Sequence, residues 1–194
     1  LRGRAAGVAF EKEVAAAVSR SRNVSREWRD GKVEKSNEAT TRGLSLQLYV
    51  DGRYSQVSSS DLRPEALSTF IADSVTMTRV LSEDPFRALP EPALYEGRAS
   101  VDLQLDDPAY PTVTPEQRRK AAQQMEEAAR AVKGAESILS VSTGFDDTRT
   151  ESFRVASNGF EGTRIDTVFF VSAQVSVKDA DGRRPEDYSF GGAR

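Results

Sequence analysis

The chain of 194 residues contains no cysteine and no histidine. The first absence excludes disulfides and thiolate nucleophiles, and the two together exclude Cys/His zinc sites. A Ser-His-Asp triad and any imidazole general base are excluded as well. Carboxylate-only sites and Ser–Lys pairs remain open. Long apolar runs are also missing: no stretch approaches the ~20 residues needed to cross a bilayer. The N-terminal region has no apolar core of the kind a signal peptide carries. The 27 basic and 30 acidic residues give a net charge of -3, so there is no basic field to attract nucleic acid. The expectation is a cytoplasmic protein with neither membrane nor nucleic acid as partner. The chain begins at Leu1 and not at methionine, which suggests that a native N-terminus has been removed.

With 38% apolar and 29% charged residues the chain is expected to fold around a real core. Its clearest pattern lies at residues 41–61. Leu44, Leu46, Leu48 and Val50 alternate with Ser45, Gln47 and Tyr49, the period of a strand with one buried face. Asp51-Gly52 supplies two left-handed positions for a two-residue turn. That turn sets Val50 against Arg53, Leu48 against Ser55, Leu46 against Val57, and Tyr49 against Tyr54 on the outer side. Large residues then oppose small ones on the inner face, leaving room for a helix.

Around this hairpin the order reads helix, four strands, helix, strand, helix, several strands. Phe10, Val14 and Val18, four apart among alanines, suggest a first helix over 5–20, weakened at its start by Gly7. Asp30-Gly31 closes an earlier hairpin of 24–29 with 32–40. Leu62 to Leu81 is a second helix with Pro64 in its first turn. Residues 84–92 form a proline-punctuated extended connector, and Ser100 to Leu105 a short alternating strand. Thr114-Pro115-Glu116-Gln117 opens a third helix that runs to about Val132, with Gly134 as its stop. Residues 137–143 lead into a hairpin turned at Asn158-Gly159. From Ile165 the alternation continues to Val177, although Val168 and Phe170 interrupt the polar side, and a turn at Asp181-Gly182 precedes the C-terminal residues. The expected fold class is α+β: a mostly antiparallel sheet of hairpins with about three packed helices, in a single domain over 1–194.

No catalytic, cofactor-binding or metal-ligating residue is assigned. Asp146, Asp147, Glu151 and Asp166 suggest a carboxylate metal site, but their spacing fits no loop motif and turn carboxylates are common. Ser58 to Ser60 beside Asp61 have no accompanying base, and a strand end entering a helix accounts for them. Trp28, Tyr49 and Tyr54 read either as core and cross-strand packing or as an aromatic platform. Tyr49, Tyr54 and Gln56, the outer row of the hairpin, are the candidate partner contacts. The hairpin edges suit an extended peptide added as a further strand.

An ordered set of short matches runs through the chain: Asn37-Glu38 and Gly43; Asp51-Gly52-Arg53 with Ser60-Asp61-Leu62; Glu65-Ala66-Leu67; Asp84-Pro85; Leu89-Pro90; Asp107-Pro108; Ser157-Asn158-Gly159-Phe160; Ser176-Val177; Asp181-Gly182; and Asp187-Tyr188-Ser189. In this order they resemble the N-terminal domain of the TldD/PmbA family, described as modulators of DNA gyrase and as metalloprotease-related. The Ser-Asn-Gly-Phe and Asp-Tyr-Ser runs are closer to the PmbA (TldE) branch. The resemblance implies a longer parent protein whose zinc, where present, sits in a C-terminal domain with an HExxxH motif, that domain beginning near Arg194. It implies no zinc ligand in this chain. It further implies a TldD-like subunit or a second copy as partner, a peptide substrate, and a non-catalytic part in shaping the substrate chamber and subunit interface. A stand-alone module that binds peptide by strand addition is the alternative.

Overall fold

The computed structural model describes residues 3–5, 8–10 and 12–193, with side chains from residue 13 onward. Two short strands, β1 (Gly3–Ala5) and β2 (Val8–Phe10), pair antiparallel. The remaining strands are β3 (Lys12–Arg29), β4 (Lys32–Val50), β5 (Arg53–Ser59), β6 (Ile138–Ala156), β7 (Glu161–Val177) and β8 (Glu186–Ala193). They form one six-stranded sheet in the order β5-β4-β3-β6-β7-β8. Two α-helices, α1 (Pro64–Thr78) and α2 (Pro115–Arg130), lie between β5 and β6 in the chain. The α+β class with mostly antiparallel pairing therefore holds, but with two α-helices among the described residues where about three were expected.

The missing helix is the first. Ala6, Gly7 and Glu11, within the expected helix, lie outside the described residues. Residues 12–20 belong to strand β3. Positions four apart, such as Val14 and Val18, share a face in a strand as well as in a helix, so the spacing did not discriminate. Val14 and Ala16, two apart, pack against the leucine row of β4, whereas Val18 is 45% exposed. Pairing within the sheet overrides the helical preference of the alanines. The strand expected at Ser100–Leu105 is also absent. Val101 and Leu103 are exposed, and Gln104 takes a left-handed φ of 51° that breaks an extended run.

The chain divides into two compact units. One comprises residues 1–20, 41–102 and 151–164. Its core is the row Leu44, Leu46, Leu48 and Val50, covered by Leu67, Phe70 and Val75 of α1 and by Leu62 just before it. The register with β5 is the expected one, with Val50 opposite Arg53, Leu48 opposite Ser55 and Leu46 opposite Val57. Asp51 and Gly52 both take positive φ, 51° and 71°, as the two-residue turn requires. The small Ser55 is buried and its hydroxyl meets that of Thr78 at 2.6 Å, so the gap left by a small residue is filled by the end of α1. The connector packs back on this unit: the Asp84 amide donates to the Gly52 carbonyl, and the Leu89 amide donates to the Glu13 carboxylate.

The other unit comprises residues 21–40, 103–150 and 165–194. Helix α2 starts with the capping box expected at Thr114: its hydroxyl accepts from the Gln117 amide, and the Gln117 side chain accepts from the Thr114 amide. The helix ends at Arg130, and Gly134, at φ 92°, begins the short turn that leads into β6. Asn158-Gly159 and Asp181-Gly182 turn differently from Asp30-Gly31 and Asp51-Gly52, since only their glycines have positive φ.

Because the leucine row is nearly free of water, Leu48→Ala is expected to lower unfolding stability by about 2–5 kcal/mol. Chemical denaturation of the 194-residue chain measures this. A cost near that of an exposed substitution would show that the row is not the core.

Candidate functional site

The outer row of the β4–β5 hairpin is assembled as the alternation implies. The Tyr49 and Tyr54 rings lie 5.0 Å apart, and the Tyr54 hydroxyl donates to Gln56 at 3.3 Å. Both ends of the row have partners within the same unit. The Arg87 guanidinium sits 4.6 Å over the Tyr54 ring, and Gln47, two before Tyr49, accepts from Arg154. Partial burial pushes the Tyr49 hydroxyl above its ordinary pKa of 10.0. Gln56 is exposed.

Of the carboxylates considered for a metal, Asp147 is committed elsewhere. Asp147, buried under α2, receives two donors from the equally buried Arg118, whose remaining reach goes to the Val113 carbonyl. Losing either partner would strand a charge without water. Tyr110 stands beside this pair; burial, with the neighbouring Asp147, raises its hydroxyl pKa, and it accepts from Arg22. Among the described residues no group of three or more acidic side chains is placed to hold a metal ion.

A second polar cluster fixes one end of α2. Glu126 accepts from the Trp28 indole at 2.6 Å, the Gly31 amide at 3.0 Å and Arg130 at 2.9 Å. Arg130 also reaches Asp30, which accepts from the Val141 amide and the Ser140 hydroxyl. The β3–β4 turn, helix α2 and the start of β6 are thus tied at one point. Trp28 is part of this tie.

Held in this way, α2 forms one wall of a groove of about 590 Å³. Met125, Ala128 and Ala129 line the helix side, Val171 and Val175 the floor, and residues 187–191 of β8 the open side. Asp187 is the one charged residue among those that line it. β8 is the outermost strand of the sheet on this side. It pairs with β7 so that Asp187 faces Val175, Ser189 faces Ala173 and Gly191 faces Val171. The Val177 amide donates to the Pro185 carbonyl, one step further along the same register. Bonded pairs recur at every second position of an antiparallel ladder. Asp187, Ser189 and Gly191 therefore bond to β7, and the amides of Tyr188, Phe190 and Gly192 turn outward. The Tyr188 amide is held by the Asp187 carboxylate at 2.9 Å. On the sheet face away from the groove, Phe170 stacks on Phe190 and Phe190 on Tyr188, with Tyr188 71% and Phe190 65% exposed. In the sequence Asp187-Tyr188-Ser189 is only a short run; its place on the outermost strand depends on pairing with β7, which leaves no local pattern.

Residues 14–78 match PmbA/TldA metallopeptidase domain 1, and residues 108–194 match the PmbA/TldA metallopeptidase central domain. A structure from Bacteroides thetaiotaomicron, described as a modulator of DNA gyrase, is 32% identical over 93% of this chain and 40% of its own, with a TM-score of 0.86. A second protein so described, from Thermotoga maritima, is 14% identical over 92% of this chain and 39% of its own, with a TM-score of 0.71. TldE from Thermococcus kodakarensis is 16% identical over 94% of this chain and 40% of its own, also at 0.71. The last two likenesses concern the fold alone. The chain spans about two fifths of the length of these structures. No curated protein matches it. The residues present do not fit a zinc site: histidine and cysteine are absent, and Asp147 is committed to Arg118.

The Glu126–Asp30 tie predicts a pH dependence. Burial opposes the charged form of Glu126, but its three donors outweigh that and hold the carboxyl below its ordinary 4.5. The Val141 amide is the main influence that holds Asp30 below its ordinary 3.8. A carboxyl depressed in the folded state stabilises above its unfolded pKa, and that contribution disappears as pH falls through the folded value. The urea midpoint is expected to fall below about pH 4.5, and Glu126→Gln to flatten that fall. An unchanged acid limb in Glu126→Gln would contradict the assignment.

Proposed function

The chain belongs to the PmbA/TldD family, and on that premise we propose that it is a non-catalytic, N-terminal part of a peptide-processing system, helping to shape a substrate chamber and a subunit interface. The observation that carries the reading is the match of successive segments to domain 1 and the central domain of one metallopeptidase family, in a chain without histidine or cysteine. Hydrolysis would then depend on zinc held outside these 194 residues, in a C-terminal domain or in a TldD-like partner subunit. The contribution of this chain is to bind and orient a peptide. Tyr49, Tyr54 and Gln56 are offered as the contact row for that domain or subunit, or for a second copy. The outward amides of β8 favour a second reading, a module that takes up an extended peptide by strand addition and works without further domains.

The test is made on the 194-residue chain. Zinc titration by calorimetry is expected to show no stoichiometric site, and a quenched-fluorescence peptide substrate is expected to remain intact with zinc present. Tight one-to-one zinc binding, or turnover by this chain alone, would overturn the non-catalytic assignment.

A further inference from the structure

We propose that a pocket between the β3–β4 hairpin and the first half of α2 binds a small apolar carboxylate, a free acid whose charge meets Arg26 and whose body lies against Trp28 and Val33. This goes beyond the peptide-handling reading and does not depend on it. The pocket holds about 300 Å³, within the range of sites that take a small molecule. Its walls come from residues 26–36 and 115–122, all within one compact unit. It is separate from the groove described above: Pro115, Arg119 and Ala122 of α2 line the pocket, whereas Met125, Ala128 and Ala129 line the groove.

Two properties of the walls select the ligand. The first is apolar surface that water still reaches. Trp28 is half-buried, Val33 is 53% exposed, and Pro115 and Ala122 complete that side. The Trp28 indole N–H is committed to Glu126 at 2.6 Å. The ring therefore offers the pocket carbon surface that is already held in place. The second property is charge. Arg26, Glu27, Glu116 and Arg119 are the charged residues that line the pocket. Glu27 accepts from Lys35 at 3.3 Å, and Glu116 and Arg119 pair with each other at 2.6 Å. Arg26 has no carboxylate partner among the described residues. Its Nη1 donates to the Ser25 and Asn37 carbonyls at 3.0 and 2.8 Å, and its Nε and Nη2 have no partner among the described hydrogen bonds. Those two atoms form one edge of the guanidinium, the fork that matches the two oxygens of a carboxylate. One unneutralised cation favours a monoanion. A phosphate dianion would meet Glu27 and Glu116 with a single free fork to hold it, and an ammonium would meet Arg26 itself.

The probe is 3-phenylpropionate, titrated into the 194-residue chain and followed by the emission of Trp28, the only tryptophan. A saturable change is expected with a Kd on the order of 1 mM, the affinity a ligand of this size supplies. The neutral isostere 3-phenylpropanamide is expected to bind about fivefold to tenfold more weakly, the loss of a charge-assisted pair at a half-exposed site, and 3-phenylpropylamine more weakly still. Arg26→Gln is expected to erase the difference between acid and amide. Val33→Glu, at an exposed position, sets a carboxylate beside the pocket and is expected to weaken binding of the acid by about fivefold. N-acetylphenylalanine carries the same ring and acid at a chain end, and is expected to bind more weakly because its acetamide adds bulk. Circular dichroism checks that each variant is folded. No saturation well above that Kd, equal affinity for acid and amide, or tighter binding of the amine would each overturn the proposal. So would an unchanged difference between acid and amide in folded Arg26→Gln, or full affinity in Val33→Glu. Tighter binding of N-acetylphenylalanine would assign the pocket to the end of a peptide and overturn the free-acid assignment.

Discussion

An antiparallel sheet satisfies the backbone of each interior strand on both sides and leaves a row of amides and carbonyls along each outermost strand. That constraint governs this molecule. β5 and β8 are the outermost strands of the six. β5 is only seven residues long and leads directly into α1, which packs across the face it shares with β4. The outward row of β8 passes through exposed aromatic side chains. Interior strands can afford long apolar alternation because both neighbours are present. The same alternation on β8 leaves its aromatic rings stacked on one another and partly wet.

Much of the fold was legible where local chemistry and long-range pairing ask for the same thing. Leu44 to Val50 alternate, Asp51-Gly52 turns, and the β5 register follows with no further information. The Thr114–Gln117 box marks the start of α2 for the same reason: capping is settled within four residues. Legibility failed where two periods coincide. A spacing of four satisfies helix and strand alike, and in β3 only the neighbours decide between them. It failed again at Ser100–Leu105, where Gln104 turns left-handed just before the Leu105 carbonyl accepts from the Thr167 amide of β7, and at Asn158, where a turn that begins like Asp30-Gly31 and Asp51-Gly52 leaves only its glycine at positive φ.

The candidate site was less legible because its parts are distant in sequence. Asp147 looks like a turn carboxylate until Arg118, 29 positions earlier, is brought against it. Glu126 holds the Trp28 indole across 98 positions and thereby fixes the helix that walls the groove. Neither contact leaves a local pattern. Tyr49 and Tyr54 were found because they face each other across a two-residue turn, yet Arg87 lies over Tyr54 from a connector whose path no periodicity described. Membership of the family came from ordered short matches, most of which are turns. Turn chemistry is what a sequence displays most openly, whereas an unpaired edge is displayed only by the assembled sheet.

The central claim is that the sheet pairs the amides of β8 alternately, and amide hydrogen exchange resolved by residue tests it most directly. On the 194-residue chain Ser189 and Gly191, bonded to β7, are expected to exchange more slowly than Phe190 and Gly192. Equal protection of all four, or the opposite alternation, would contradict it.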